Sequence, residues 1–480
     1  MAVVKRIACC AVLVMTFGVL GTIGAEPAAV PVGVWPSFRG VRAAGIGDGA
    51  DVPTSWDIER GRNVCWKTRI PGLGHSSPVV WGDHVYLTSA VSSDPDPYLR
   101  PGLYGDSPDH PEDIVHDYRL YCLDRKDGHV VWEQTAHSGK PQVKRHVKST
   151  HANPTPATDG QHVVAFFGSE GLYCYDAQGK LLWQQDLGKL DAGAFNAPEI
   201  QWGFGSSPII HDGRVVVLCD VNGQSFIATF DVQTGKELWR TLRDENPTWG
   251  TPTVHCGGQR SQVIVNGWKH IGGYDLQTGA ELWRMHGGGD IPVPTPVVAH
   301  DLVFLTSAHG PQSPVYAIRV DAEGDITLGD DETSNRSVAW SRPRRGAYMP
   351  TPIVYGPHLY VVNDRGFLAC YVAQSGEELY RTRLGAEGGT FTASPVAANG
   401  KLYITSEEGD VHVVAAAAEY RSVAVNAMHG VCLATPAISD GMLFIRTSKY
   451  VYAMQEGAVL APEPAAPEVT TQPVASAVWE

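Results

Sequence analysis

Eight of the ten Ser-Pro or Thr-Pro pairs in this chain of 480 residues recur in one repeated pattern, and the side chains just ahead of them are the ones whose types could do chemistry. They include His75, His151, Trp202, Trp249, Tyr348, Phe391 and His429, with Arg344 and Arg345 nearby. Aromatic and imidazole groups next to glycine, as in WGFGSSP and TWGTP, suit a partly apolar pocket with a few polar groups. The chemistry on offer is binding, of a small ligand or of a partner's surface. Plugging a channel and packing between sheets is the competing role for any one of them.

A second cluster, Lys144, Arg145, His146, Lys148 and His151, carries donors that could hold an anionic group. We read it instead as a solvated loop whose charges offset the acidic stretch 94–117. Within that stretch Asp94, Asp96, Asp106, Asp109, Glu112 and Asp113 follow no calcium-loop spacing and are interrupted by prolines, so no metal site is assigned. HExxH, GxSxG, P-loop and EF-hand patterns are missing, and no catalytic residue is assigned. Cys65, Cys122, Cys174, Cys219, Cys256, Cys370 and Cys432 are odd in number and never spaced as CxxC, and most read as small core residues. Asn335-Arg336-Ser337 has the form of a glycosylation sequon and is read as incidental.

What must position these groups is a repeat. The prolines stand at 78, 156, 208, 252, 296, 352, 395 and 436, separated by 78, 52, 44, 44, 56, 43 and 41 residues. One unit is clearest from SSPII through HDGR and VVVLCD to FIATFDVQTGKELWR, which predicts four short strands bounded by turns. The end of the unit has its own register: Asp231, Gly235 and Trp239 correspond to Asp275, Gly279 and Trp283 and to Asp124, Gly128 and Trp132. The Asp caps a tight turn, the Gly supplies a positive φ, and the indole packs between neighbouring sheets. Trp66, Trp132, Trp183, Trp239, Trp283 and Trp340 are therefore read as one repeated structural position.

The last unit ends after three strands, whereas NVCWKTRI at 63–70 is a Trp strand with no three before it. An N-terminal strand that completes the last sheet closes the ring and leaves no free edge. The expectation is an all-β, eight-bladed β-propeller over residues 63–456. Insertions fall at 89–117 and 137–156 in the first blade and at 321–337 in the fifth.

Around it we expect a signal peptide at 1–25, where Lys5 and Arg6 precede the apolar run 7–23, then an extension at 26–62 and a disordered Pro- and Ala-rich tail at 457–480. Gly and Pro together number 85, apolar residues make up 43% and the net charge is −14. That balance excludes collagen and a wholly disordered chain, and it disfavours nucleic acid or an anionic membrane as partner. No other run is apolar for long enough to cross a membrane as a helix.

YDLQTGAELW and FDVQTGKELW resemble the PQQ-type repeats of quinoprotein dehydrogenases and of the outer-membrane assembly lipoprotein BamB. WPSFRG, GHSSPVVWGDHVYLTS and FTASPVAANGKLYITSEEGDVHVV are similar to exported PQQ-binding-like propellers of planctomycetes and related bacteria, over about residues 35–455. The resemblance implies the fold and an envelope or periplasmic location. For a dehydrogenase it would also imply a catalytic Asp, a Ca²⁺ held by carboxylate and amide oxygens beside PQQ, a stacking Trp and a disulfide between adjacent cysteines. After residue 25 no cysteines are adjacent, so the blade repeats carry over and the catalytic residues do not. The expected function is a non-catalytic binding or scaffold module that presents its face to a protein or small-molecule ligand. A PQQ-dependent oxidoreductase is the alternative.

Overall fold

The apolar alternation of each repeat places four antiparallel strands in a sheet, with the short Ser/Thr-Pro strand innermost and the Trp strand outermost. A computed structural model of the chain describes residues 33–94, 97–102, 109–110, 113–257, 260–309, 312–385 and 389–460. The signal-peptide region, most of the tail, and Asp96, Asp106 and Glu112 lie outside the described residues, as does the side chain of Asp109. The third sheet shows the pattern: Ile209–His211, Arg214–Cys219, Ser225–Asp231 and Glu237–Arg243 pair in chain order. Eight such sheets form an all-β, eight-bladed propeller. Short innermost strands of neighbouring sheets lie against one another, as Val79–Trp81 does on Ala157–Thr158 and on Ala437–Ser439.

In the eighth sheet the outermost strand is Arg62–Arg69, paired antiparallel with Tyr450–Val459. That pairing carries the last strand past the expected tail boundary at Gly457, because Gly457, at φ +77°, turns its N–H onto Asn63 Oδ1 at 2.8 Å.

Trp66, Trp132, Trp183, Trp239 and Trp340 each reach over the turn of the next sheet, where the indole Nε1 donates to the backbone oxygens of Arg125, Ala177, Val232, Leu276 and Ala373. Each ring covers that turn's glycine. Trp283 differs because the fifth sheet has no such turn. Its Nε1 donates to Gln262 Oε1 at 2.9 Å, and Gln262 Nε2 passes the link to the Val320 oxygen at 2.7 Å. In the first seven sheets the pairing of the third and outermost strands is shifted by a β-bulge at this step, which re-aims the ring toward the neighbour.

The insertions build extra structure. Asp109–His110 pairs with Arg145–His146, joining the two insertions of the first sheet. Gly324–Asp325, which follows the third strand of the fifth sheet, instead pairs parallel with Glu281–His286 and widens the fourth. Segment 33–51 runs across the lower ends of the innermost strands: Trp35 bridges Val80, Ile46 bridges Ala397, and the turn Val41–Ala43 packs on Thr253–Gly257. Arg39 is fully buried there and donates to the oxygens of Pro395 at 2.8 Å, Pro352 at 2.9 Å and Thr351 at 3.3 Å.

Candidate functional site

Proline has no N–H to give a ladder, so it suits the start of an innermost strand, and the residue before it is extended. That residue carries a hydroxyl in all eight blades. Ser77 N–H donates to Thr155 Oγ1 at 2.9 Å, Thr155 N–H to Ser207 Oγ at 2.9 Å and Ser207 N–H to Thr251 Oγ1 at 3.1 Å. Opposite, Thr295 N–H donates to Thr351 Oγ1, Thr351 N–H to Ser394 Oγ and Ser394 N–H to Thr435 Oγ1, each at 3.0 Å. This belt runs round the channel with two gaps. At them the Ser77 and Thr295 hydroxyls, both buried, have no partner.

All eight hydroxyl residues line one cavity of about 390 Å³. Phe38, from the N-terminal segment, also lines it. A hairpin of Gly193–Ala194 and Ala197–Gln201, between the second and third blades, contributes Phe195, Asn196 and Ile200. Asp191 Oδ1 ties this hairpin down by accepting from Gln201 Nε2 at 2.7 Å and Asn222 Nδ2 at 3.2 Å. Trp202 and Trp249 stand 5.2 Å apart, ring centre to ring centre, and the Trp249 indole donates to the Gly203 oxygen at 2.7 Å. Tyr348 packs on His309 at 5.4 Å. Phe195 packs on Trp268, whose Nε1 donates to Asp290 Oδ1 at 3.1 Å.

From the cluster read as a solvated loop, His146 and Lys148 line the cavity and Arg145 is buried, which corrects the reading for these three, whereas Lys144 is exposed. Arg145 is 1% exposed and donates to the oxygens of Ser149 and Tyr98. Lys148 crosses to the seventh blade, where Nζ sits 2.5 Å from Oε1 of the fully buried Glu407. Glu407 also accepts from Gly102 N–H at 2.8 Å and Thr392 Oγ1 at 2.5 Å. Tyr98 and Glu407, which accept from Arg145 and Lys148, lie outside 144–151, so a linear reading of that stretch does not contain them. His75 Nε2 lies 2.9 Å from the Lys148 oxygen. Burial, with the Arg446, Arg145 and Lys148 charges nearby, pushes the His75 pKa down to about 4, and burial does the same to His146.

Of the nine residues expected at the mouth, His75, Trp202, Trp249 and Tyr348 line the cavity. The other five do not. Phe391 is buried in the core between the sixth and seventh blades. His151 packs on His116 at 5.1 Å and on Tyr118 at 6.4 Å. His429 is turned outward, 3.6 Å from Glu59. Arg344 is exposed, and Arg345 lies 3.4 Å from Glu378. Sequence reasoning missed the hydroxyl belt, although Ser or Thr at all eight positions was its signal, and it missed the hairpin, signalled by the long 52-residue spacing.

The family model described as outer membrane protein assembly factor BamB matches residues 116–382 and 268–424. The chain belongs to this family of PQQ-like repeat propellers. Tetrathionate hydrolase of Acidithiobacillus ferrooxidans is 27% identical over 278 residues, 55% of this chain and 47% of that protein, so the chain spans about half the length of this curated relative. Among solved structures, a europium-containing methanol dehydrogenase superposes with a TM-score of 0.60 at 12% identity, covering 88% of this chain and 98% of that one. Quinohemoprotein alcohol dehydrogenase ADHIIG from Pseudomonas putida HK5 gives 0.58 at 13%, covering 91% and 82%. BamB from Moraxella catarrhalis gives 0.51 at 14%, covering 77% and 97%. These likenesses show the fold.

The cavity's residues do not fit PQQ with its metal. The Lys148 ammonium, which lines the cavity, is taken by Glu407, so this cation is committed rather than offered to a carboxylated ligand. Among the described residues, the group of His, Cys, Asp and Glu side chains that converges as metal ligands is Asp124, Asp127 and His129, on a turn outside the cavity.

Proposed function

We propose that this protein is an exported, non-catalytic binding module of the cell envelope whose central cavity receives a small ligand or a projecting group of a partner. One observation carries the reading: a cavity of about 390 Å³ closed below by the N-terminal segment, with Phe195, Trp202, Trp249 and Tyr348 on its walls and a hydroxyl belt beneath. Aromatic walls exclude water and offer π-faces, and hydroxyls at the gaps give short-range polar contacts that orient what enters. Lys148 and Glu407 neutralise each other, so the occupant this lining suits has an aromatic or apolar body and polar edges, without a cluster of negative charge.

The export assignment rests on residues 1–25 and on the family's outer-membrane description. Among the described residues no helix is long and apolar enough to cross a membrane. The PQQ-dependent alternative is supported by the shared fold and the Trp202–Trp249 pair, and weakened by the mismatch of cavity cations and metal ligands.

A thermal-shift screen of planar aromatic and polyhydroxy compounds tests the reading. Compounds that raise Tm in the wild type should lose that effect in Trp249→Ala and in Thr295→Val. Equal shifts in those variants would place binding elsewhere and overturn it.

A further inference from the structure

On the lower face, away from the cavity, the innermost strands of the third and fourth blades end side by side. There Cys256 Sγ stands 3.0 Å from His211 Nε2. Both residues are half-buried rather than enclosed in a blade. The turn Val41–Ala43 packs on the strand that carries Cys256, and burial first, then the Arg42 charge, lower the pKa of His211 and of His255, which keeps the His211 ring neutral and able to accept a proton. Asp212 and Arg214 face the same imidazole, and Arg214 is paired with Asp212 at 3.4 Å.

Among the described residues no other cysteine is placed this way. Cys122, Cys174, Cys219, Cys370 and Cys432 are buried in the blades, and burial pushes the thiols of Cys122, Cys174, Cys370 and Cys432 up to about 12. Cys65 lies 3.7 Å from Gln455 Oε1, an acceptor that cannot take a proton, and burial raises it as well. A neutral imidazole beside a thiol can take its proton as the sulfur attacks, and the Arg42 charge nearby draws anionic reagents.

We propose that Cys256 is a thiol-exchange site, with His211 as its base, that forms a mixed disulfide with small anionic disulfides. The Cys256 proton moves to His211 Nε2, the thiolate attacks one sulfur of R–S–S–R′, the S–S bond breaks, and R′–S⁻ takes the proton from the imidazolium. Cys256–S–S–R and R′–SH are the products, with no net gain or loss of electrons. Release of the adduct requires a second thiol from solution by the same exchange.

Dithiobis-nitrobenzoate added to the whole protein at neutral pH tests this. One equivalent of thionitrobenzoate should be released about tenfold faster than from free cysteine, since the imidazole takes the proton as the sulfur attacks. Peptide mass spectrometry should place the adduct on Cys256, and Cys256→Ser should abolish the fast phase. His211→Ala, and His211→Gln, which keeps a hydrogen bond but cannot take the proton, should both slow it about tenfold with Tm unchanged. Arg42→Ala should slow the anionic reagent more than neutral dithiodipyridine. A fast phase that survives Cys256→Ser, the absence of a fast phase, or His211→Gln reacting like wild type would overturn the proposal.

Discussion

Trp239 lies flat against Gly279 of the neighbouring blade: a Cβ on that glycine would stand 2.4 Å from Trp239 Cε3, and the indole donates to the Leu276 oxygen at 3.0 Å. The same glycine sits at φ +73°, so shape and backbone make one demand on one residue. Gly279→Ala should destabilise the protein by roughly 2–4 kcal/mol, combining overpacking with a left-handed non-Gly residue. Gly324→Ala, at φ +70° but in open space, should cost only the backbone share, about 1 kcal/mol. Thermal unfolding of both variants checks the difference.

Lys148 and Glu407 tie the first blade's insertion to the seventh blade across a buried contact, with side chains 14% and 0% exposed. Lys148→Met leaves a buried carboxylate without its cation and should cost about 3–5 kcal/mol. Adding Glu407→Leu to that variant should recover part of the loss. A double-mutant cycle read by chemical denaturation should give a coupling above about 1 kcal/mol.

His75 is held neutral, its folded pKa lowered from 6.5 to about 4. Above pH 6.5 neither state is protonated there, and the group adds no pH dependence. As pH falls from 6.5 toward 4 the unfolded chain binds the proton first, so stability declines, by up to about 3 kcal/mol from this residue. His75→Gln should flatten that part of the stability–pH curve. An unchanged slope would show that His75 is not the group responsible.

Asp191 anchors the hairpin over the cavity through Gln201, Asn222 and Gly193 N–H. Asp191→Ala should lower the global unfolding free energy by no more than about 2 kcal/mol, since one partly buried network is lost. Amide exchange in 193–201 should rise by at least tenfold while the innermost strands keep their protection.

The ring was legible in the sequence because each blade is encoded locally: strand alternation, an Asp-capped turn and a Trp recur at a period that needs no distant partner to be seen. Trp66, Trp132, Trp183, Trp239 and Trp340 share one hydrogen bond, and Trp283 departs from it where insertion 321–337 removes the receiving turn. Only part of the site was legible. Trp249 and Tyr348 reach the cavity, whereas Phe391, equally close to its proline in sequence, is buried at 1% exposure between blades. The direction a loop takes depends on its neighbours, so position before the proline does not decide it. Lys148 and Glu407, 259 residues apart, and Arg39, which meets Pro395 after 356, are joined by the ring's closure and not by any spacing rule.

Dye-linked oxidation measures the central claim most directly. The purified protein, given PQQ and Ca²⁺ with alcohols or sugars as substrate, should not reduce an artificial electron acceptor above the protein-free rate, and its Tm should not change at saturating PQQ. Sustained, PQQ-dependent acceptor reduction would contradict the assignment as a non-catalytic binding propeller.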